Sequence, residues 1–187
     1  MPLNIGSAID TTRAAFGPAV LAIGAAGTTP TSNIGLLAQD APMEIEFQTD
    51  FGEVSNGNPM LTIFRFIRSQ NFFLRATSIE WSANRLSYAL GTGATAIDAN
   101  NEIYRFGGDP CPVSVALHLQ HRKCLAAHTI NVRVWTAQSE NGGLAIQFGQ
   151  DPHAFPYAWK ALRSTTNWAG GSLATDSQLV EIDIELQ

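Results

Sequence analysis

The sequence predicts a mainly β protein, a β-sandwich or partial barrel with one flanking α-helix over about residues 82–90. Three observations support this fold class. Short segments of alternating polar and apolar residues recur along the chain, and turn-forming residues separate them. Only the segment after Trp81 has the spacing of an amphipathic helix. No repeat or linker divides the 187 residues, so we expect a single domain over residues 1–187.

Composition limits the classes of function. The chain is 45% hydrophobic and 14% charged, which is a globular balance that is poor in charge. The formal net charge of −5 disfavours general attraction to nucleic acid or anionic lipid. No segment approaches the roughly 20 apolar residues of a membrane span, and we expect no secretory signal. Two cysteines do not make a disulfide framework, so we expect free thiols in a reducing compartment.

The first third of the chain predicts an N-terminal arm, two strands and a projecting loop, in that order. Residues 1–17 have little pattern and are expected to form an N-terminal arm. Residues 18–24 (PAVLAIG) predict a first strand, and residues 43–47 alternate strictly between apolar and polar side chains, as in a half-buried strand. Residues 49–59 (TDFGEVSNGNP) are too polar for a core element, so they predict a projecting loop or a long hairpin arm.

Residues 60–91 form the most specific pattern in the chain. Residues 60–68 (MLTIFRFIR) predict a strand that is buried on both faces, because almost no polar alternation precedes Arg65. The helix or another subunit would then have to cover the second face of this strand. The polar residues 69–71 predict a break, and residues 71–81 predict a second strand.

A short helix is expected directly after this strand pair. Ser82 is the expected N-cap, whose side chain accepts hydrogen bonds from the first amides. Trp81 and Leu86 have the spacing of a hydrophobic staple. Gly91 suits the left-handed conformation that commonly ends a helix. These signals predict a helix over residues 82–90.

The second half of the chain predicts further strands. Strict alternation marks three of them, and shorter extended runs mark the others. Loops are expected at residues 92–101 and 167–172. The predicted strands cover residues 102–106, 113–120, 129–135, 144–148, 157–163 and 179–186.

Four side chains come closest to a metal or catalytic cluster: His118, His121, Cys124 and His128. Imidazole and thiolate groups are zinc ligands, and a structural zinc site needs four of them. However, their spacing matches no recognised ligand pattern, and the predicted strands separate His118 from His128. Neither cysteine has a nucleophile signature, and no glycine motif for phosphate binding is present. We therefore expect a polar loop with no metal, no cofactor and no enzymatic activity.

Acidic residues recur at every second position in two of the predicted strands. Glu44 and Glu46 belong to the first strand, and Glu181, Asp183 and Glu185 belong to the second. A solvated sheet face would account for this pattern, although like charges that oppose each other on a sheet are destabilising. A surface past which DNA must move without binding is the alternative, because phosphate contacts come from Lys and Arg.

The order and texture of these segments resemble the tail tube proteins of long-tailed bacteriophages and related phage-derived particles. The resemblance rests on the strand AVLAIG with its Gly/Thr/Pro loop, and on the alternating strand before a polar arm. It also rests on the module with IEW before LSYALG, and on DPHAFP before an extended run. It covers most of the chain and departs at residues 96–109 and 121–128.

The resemblance implies a β-sandwich flanked by one helix and assembled as hexameric rings. The rings would stack into a virion tail tube, assembled in the bacterial host cytoplasm, through which genomic DNA passes without specific binding. Partners would be other copies of the chain and the tape measure, terminator and baseplate proteins. The acidic residues named above would face the lumen. Contacts between rings would come from Asp50, Phe51, Glu53, Asn56 and Asn58.

The resemblance to tail tube proteins also implies that residues 60–66 form contacts between subunits. In a ring, Phe64 and Phe66 would lie on the opposite side of their strand from Leu61 and Ile63, and both sides would be buried. Two other classes of function stay open. One is another tail or baseplate component of the same fold. The other is a glycan-binding β-sandwich in which Trp135, Trp159 and Trp168 stack on sugars; an enzyme with an unrecognised site ranks last.

Overall fold

The computed structural model describes residues 19–35, 43–57, 60–107, 111–122, 129–141, 154–173 and 178–185. Within these ranges it contains ten strands and one helix, which confirms a mainly β fold with one helix. The helix is α1 (Ala83–Leu90). The strands are β1 (Ala19–Ala25), β2 (Ser32–Asn33), β3 (Glu44–Asn56), β4 (Leu61–Ser78), β5 (Ala94–Ile97), β6 (Glu102–Arg105), β7 (Ser114–Arg122), β8 (Thr129–Ser139), β9 (Phe155–Ala161) and β10 (Glu181–Ile184).

Eight strands form one antiparallel sheet. Its order is β2-β1-β7-β8-β9-β4-β3, and β10 also pairs with β8. Strand β8 pairs with β7 along one edge, while β9 and β10 occupy different stretches of its other edge. Strands β5 and β6 form a separate small sheet that packs against α1.

The hydrophobic core lies on one face of the large sheet, which we call the core face. The strand register places Ile23, Leu117 and Val134 side by side, and each is at most 1% exposed. Leu74 and Trp159 continue this face across β4 and β9. Alternation on these strands directs their polar side chains to the opposite side, which we call the polar face.

The prediction of two strands over residues 60–81 is wrong. Strand β4 runs unbroken for 18 residues through the polar positions 69–71, and it pairs with the 13-residue β3 in a long hairpin. Every residue from Leu61 to Gln70 is exposed, so the expected burial does not occur within the chain. Polar residues are tolerated in the middle of this strand because the ribbon has left the core there and both its faces meet solvent.

Helix α1 is confirmed, but its N-terminal cap differs from the prediction. Ser82 has the extended conformation of an N-cap without a side-chain capping bond. Instead, Glu102 from β6 accepts a 2.8 Å hydrogen bond from the Ala83 amide. Gly91 ends the helix as predicted, with φ of 66° and its N–H donated to the Ser87 carbonyl at 2.8 Å. The fully buried helix positions are Ala83, Ser87 and Ala89.

Most of the remaining strands lie close to their predicted positions, with three differences. The expected Gly/Thr/Pro loop after β1 contains the two-residue β2. The expected loop over residues 92–101 contains β5, which pairs with β6 across a turn. Strand β10 spans four residues of the eight that were predicted. The predicted strand over residues 144–148 and the N-terminal arm over residues 1–17 lie outside the described residues.

Candidate interaction surfaces

Four of the five acidic candidates lie on the polar face. Partners directly opposite each other in an antiparallel sheet point to the same side, and residues two apart on one strand do so as well. A continuous path of such neighbours therefore connects the two acidic strands. The path runs through Glu46, Phe73, Lys160, Gln138, Ser114, His118, Arg133 and Glu181.

The first acidic pair is bridged by an arginine from the adjacent strand. Arg75 Nη1 lies 2.6 Å from Glu46 Oε2 and 3.7 Å from Glu44 Oε2. The hydrogen bond from Gln48 is the largest cause that holds the pKa of Glu46 below its usual value, and the hydrogen bond from Arg75 is the next largest. These contacts reduce the like-charge repulsion that the sequence alone indicated.

The second acidic pair has the same construction. Arg133 donates to Glu181 at 2.5 Å and to Asp183 at 3.0 Å. Glu185, at the end of this strand, accepts a 2.8 Å hydrogen bond from the Thr129 amide. Across the two sites, four carboxylates on the polar face surround two guanidinium groups, and Lys160 lies on the same face between the sites, over the Phe73 ring. Together these groups keep an excess of one negative charge.

The far half of the β3–β4 hairpin exposes large apolar side chains on both of its faces. Their exposed fractions range from 42% to 75%. With roughly 200 Å² for a side chain of this size, they present on the order of 800 Å² of apolar surface. Divided between the two faces, this is about 400 Å² on each, the size of the largest apolar patch on a typical monomer, roughly 300–600 Å², which is often functional. The residues are Phe51, Val54, Met60, Leu61, Ile63, Phe64, Phe66 and Ile67.

One side of the hairpin carries a flat aromatic surface, the aromatic plate, formed by Val54, Phe64 and Phe66. The two phenylalanine rings are stacked, with centroids 6.1 Å apart. Phe66 lies over Gly52, where an added Cβ would come within 2.4 Å of its ring. Glycine at position 52 therefore leaves room for the end of the Phe66 ring beside the backbone of the ribbon.

The other side of the hairpin combines an aromatic ring with an ion pair. Arg65 lies over the Phe51 ring at 4.9 Å and its Nε is 2.9 Å from Glu53 Oε1. The residues expected to form contacts between stacked rings of subunits also belong to this hairpin. Asp50, Phe51, Glu53 and Asn56 lie in β3, whereas Asn58 is outside the described residues. A register shift at Ile63 pairs Leu61 with Asn56, two residues from Val54 on β3, so Leu61 lies on the same side as the plate. The expectation that Leu61 lies opposite Phe64 and Phe66 is therefore wrong.

A cleft lies where the hairpin leaves the sheet. It has a volume of 350 Å³ and a mixed lining: Phe47, Phe72, Leu179 and Val180 are apolar, whereas the other six residues at its walls are polar, with three glutamines and Glu181 among them. The core face continues beside it without cover, since Ile182 is 40% and Ile184 is 51% exposed. Sequence reasoning missed this cleft, because its two walls are more than 100 residues apart in the chain. Thr49 and Gln178 are among the polar residues at its walls.

The structure does not bring the histidine candidates together. His118 lies on the polar face, 3.2 Å from Asn131 Oδ1 and with its ring against Trp168. His121 is three residues further along β7 and therefore points to the opposite face. Burial lowers the pKa of His118. Cys124 and His128 lie outside the described residues, and no metal-binding group of three acidic, His or Cys side chains occurs within them.

The tryptophans proposed for sugar stacking are largely internal. Trp135 and Trp159 are 5% and 1% exposed. Trp168 is half-buried and packs edge-on against Trp135, with ring centroids 4.9 Å apart. The fourth tryptophan, Trp81, is 45% exposed and borders a hollow that it shares with Glu102 and Tyr104.

Comparison with known proteins gives no family for this chain. A scan against protein-family models finds no match, and a search of curated proteins finds no relative. No helix in the described parts of the chain is long and apolar enough to cross a membrane. Functional inference therefore depends on the surfaces described above.

Proposed function

We propose that this chain is a structural subunit that assembles with copies of itself into stacked rings, as in the tail tube of a long-tailed bacteriophage or related particle. The observation that supports this most directly is the hairpin with apolar side chains on both faces. A helix or loop of the same chain could cover one face of a ribbon, but neighbouring subunits can cover both.

The energetic case follows from the area. About 800 Å² of apolar surface corresponds to roughly 20 kcal/mol if it is wholly removed from water, at about 25 cal/mol per Å². Association costs about 4–15 kcal/mol in lost translational and rotational freedom. Even partial burial of the hairpin therefore makes a large contribution to assembly. The area also equals about one partner's share of a standard protein–protein interface.

The open edge of the sheet supports the same proposal. Strand β3 pairs with β4, and its other edge has no strand partner among the described residues. A 13-residue exposed edge promotes uncontrolled pairing with other chains unless it is covered or closed. A ring of subunits closes such edges into a continuous barrel, and symmetric closure limits the number of copies. The proposal therefore includes an inner barrel that the sheets of neighbouring subunits complete together.

The polar face suits the lumen of the tube. Its carboxylates outnumber its guanidinium groups at the two bridged sites, and both Arg75 and Arg133 are already held by carboxylates. Arginines engaged in this way are not free to bind DNA phosphates. A duplex could therefore pass along the face without strong binding. Glu44, Glu46, Glu181 and Asp183 are the lumen residues in this proposal.

Sedimentation velocity over a range of protein concentrations tests the proposal. We expect a transition from monomer to large, discrete assemblies as concentration rises. Rings that stop at a single layer would favour the related alternative, a terminator or baseplate component of the same fold. A protein that remains monomeric at every concentration would exclude both tube and ring functions.

A glycan-binding function stays the second candidate, now at a different tryptophan. Trp81 presents its ring beside Tyr104 and the Glu102 carboxylate, an arrangement of aromatic surface and acceptor that suits a sugar. Binding to a glycan array that is lost in Trp81→Ala and kept in Trp168→Ala would support it.

A further inference from the structure

We propose that the cleft between β3–β4 and the segment before β10 in one subunit receives the aromatic plate of a second copy of the chain. This inference rests on the proposed self-assembly and specifies which two surfaces meet. The cleft is lined by Phe47, Phe72, Leu179 and Val180, and the plate consists of Val54, Phe64 and Phe66.

The sizes of the two surfaces agree. A closed cavity of about 150 Å³ holds one benzene ring. The cleft, at 350 Å³, therefore has room for about two phenylalanine rings. The plate presents two such rings, Phe64 and Phe66, stacked on one side of the ribbon.

The contact must join two different molecules. Phe66 is six residues from Phe72 along β4, so plate and cleft are about 20 Å apart on one ribbon at 3.4 Å per residue. Strands β3 and β4 remain paired through this stretch. Folding the plate back onto its own cleft would break that ladder, whereas a second copy can insert its plate without disturbing it.

Burial of this contact leaves no uncompensated charge on either surface. Glu181, the charged residue at the cleft, is bonded to Arg133 at 2.5 Å. Arg65, beside the plate, is paired with Glu53 at 2.9 Å. Burying a charge is tolerable when its partner accompanies it, so neither ion pair opposes the contact.

The geometry of the contact has a consequence for assembly. Plate and cleft are different surfaces of the same molecule, so each subunit offers both. When they engage two different neighbours, the head-to-tail contact closes into a ring or continues as a filament. When two copies each insert a plate into the other's cleft, the product is a two-fold dimer, which sedimentation separates from a ring by its mass.

Crosslinking between mixed single-cysteine variants tests the inference. In a background with Cys111→Ser and Cys124→Ser, Val54→Cys places a thiol on the plate and Thr49→Cys places one at the cleft. Thr95→Cys on β5 is the matched control, because Thr49 and Thr95 are both exposed strand threonines. Equal amounts of two variants are assembled together and treated with a short bis-maleimide.

We expect the Val54→Cys and Thr49→Cys mixture to give at least about tenfold more crosslinked dimer than the mixture with Thr95→Cys. The Thr49→Cys thiol should also react more slowly with a small maleimide after assembly. Assemblies that form without the preferential crosslink would overturn this inference and leave the proposed function standing. A Thr49→Cys thiol already protected in the monomer would indicate that the chain's own residues fill the cleft, which also overturns it. Absence of any assembly would refute both proposals.

Discussion

Replacing the two rings of the aromatic plate is the perturbation that most directly separates assembly from folding. Phe64→Ser and Phe66→Ser together remove apolar surface that the monomer already exposes, at 58% and 42%. Neither ring belongs to the core cluster of buried residues. The buried part of the two rings packs on the ribbon and outside the core. We therefore expect the monomer to stay folded with a lowered denaturant midpoint, while the assembled state loses the contacts of the plate.

The expected magnitude follows from the exposed area. The two exposed fractions together correspond to about one whole phenylalanine side chain, or roughly 200 Å². At about 25 cal/mol per Å², complete burial would contribute about 5 kcal/mol per contact. If half of that area is buried, the loss is about 2–3 kcal/mol, which weakens each contact by about 30- to 150-fold.

Light scattering against protein concentration measures this effect as the concentration at which assemblies appear. We expect the double variant to require at least about 30-fold more protein than the parent chain. Phe106→Ser is the matched control, since Phe106 directly follows β6, away from the hairpin, and is 73% exposed. The reasoning is refuted if the double variant assembles at the parent concentration, or if Phe106→Ser is equally impaired.

Three further predictions address single positions. Gly52→Ala places a Cβ where the Phe66 ring lies, so we expect weaker assembly in light scattering with little change in monomer unfolding; normal assembly would show that a flat plate is unnecessary. Glu102→Ala removes the acceptor of the Ala83 amide and should lower the urea midpoint, whereas Glu102→Gln should keep most of it; equal midpoints for the two variants would contradict the capping role. Burial raises the pKa of Tyr157 to about 12 from an ordinary value near 10, so the neutral phenol stabilises the fold fully below pH 10 and this contribution is lost as pH rises towards 12. Urea titrations of the parent and of Tyr157→Phe at pH 9 and 11 should show a smaller loss in the variant, and the same loss in both would contradict this assignment.

Local patterns predicted the elements whose cause is local. The helix ends at Gly91 because glycine adopts the left-handed conformation at little cost, and this is visible from the sequence. Alternation located β7 and β8, because both have a buried and a polar side. The acidic residues were likewise correctly assigned to the side opposite the apolar residues of their strands.

Features that depend on distant residues could not be predicted in this way. The apolar run at residues 60–68 indicates burial, but the structure places it on a projecting ribbon, where only a partner could bury it. Glu102 caps a helix that begins 19 residues earlier, and the cap position alone gave no sign of it. The acidic strands looked unneutralised because Arg75 and Arg133 are adjacent to them only through the sheet register.

Electron microscopy of the purified protein across a range of concentrations tests the central claim most directly. Rings or tubes with a central channel are the expected result, and a resolved tube should place Glu46 and Glu181 on the channel wall. Images that contain only single subunits at high concentration would contradict the assembly function. Tubes whose channel is lined by other residues would contradict the assignment of the polar face to the lumen.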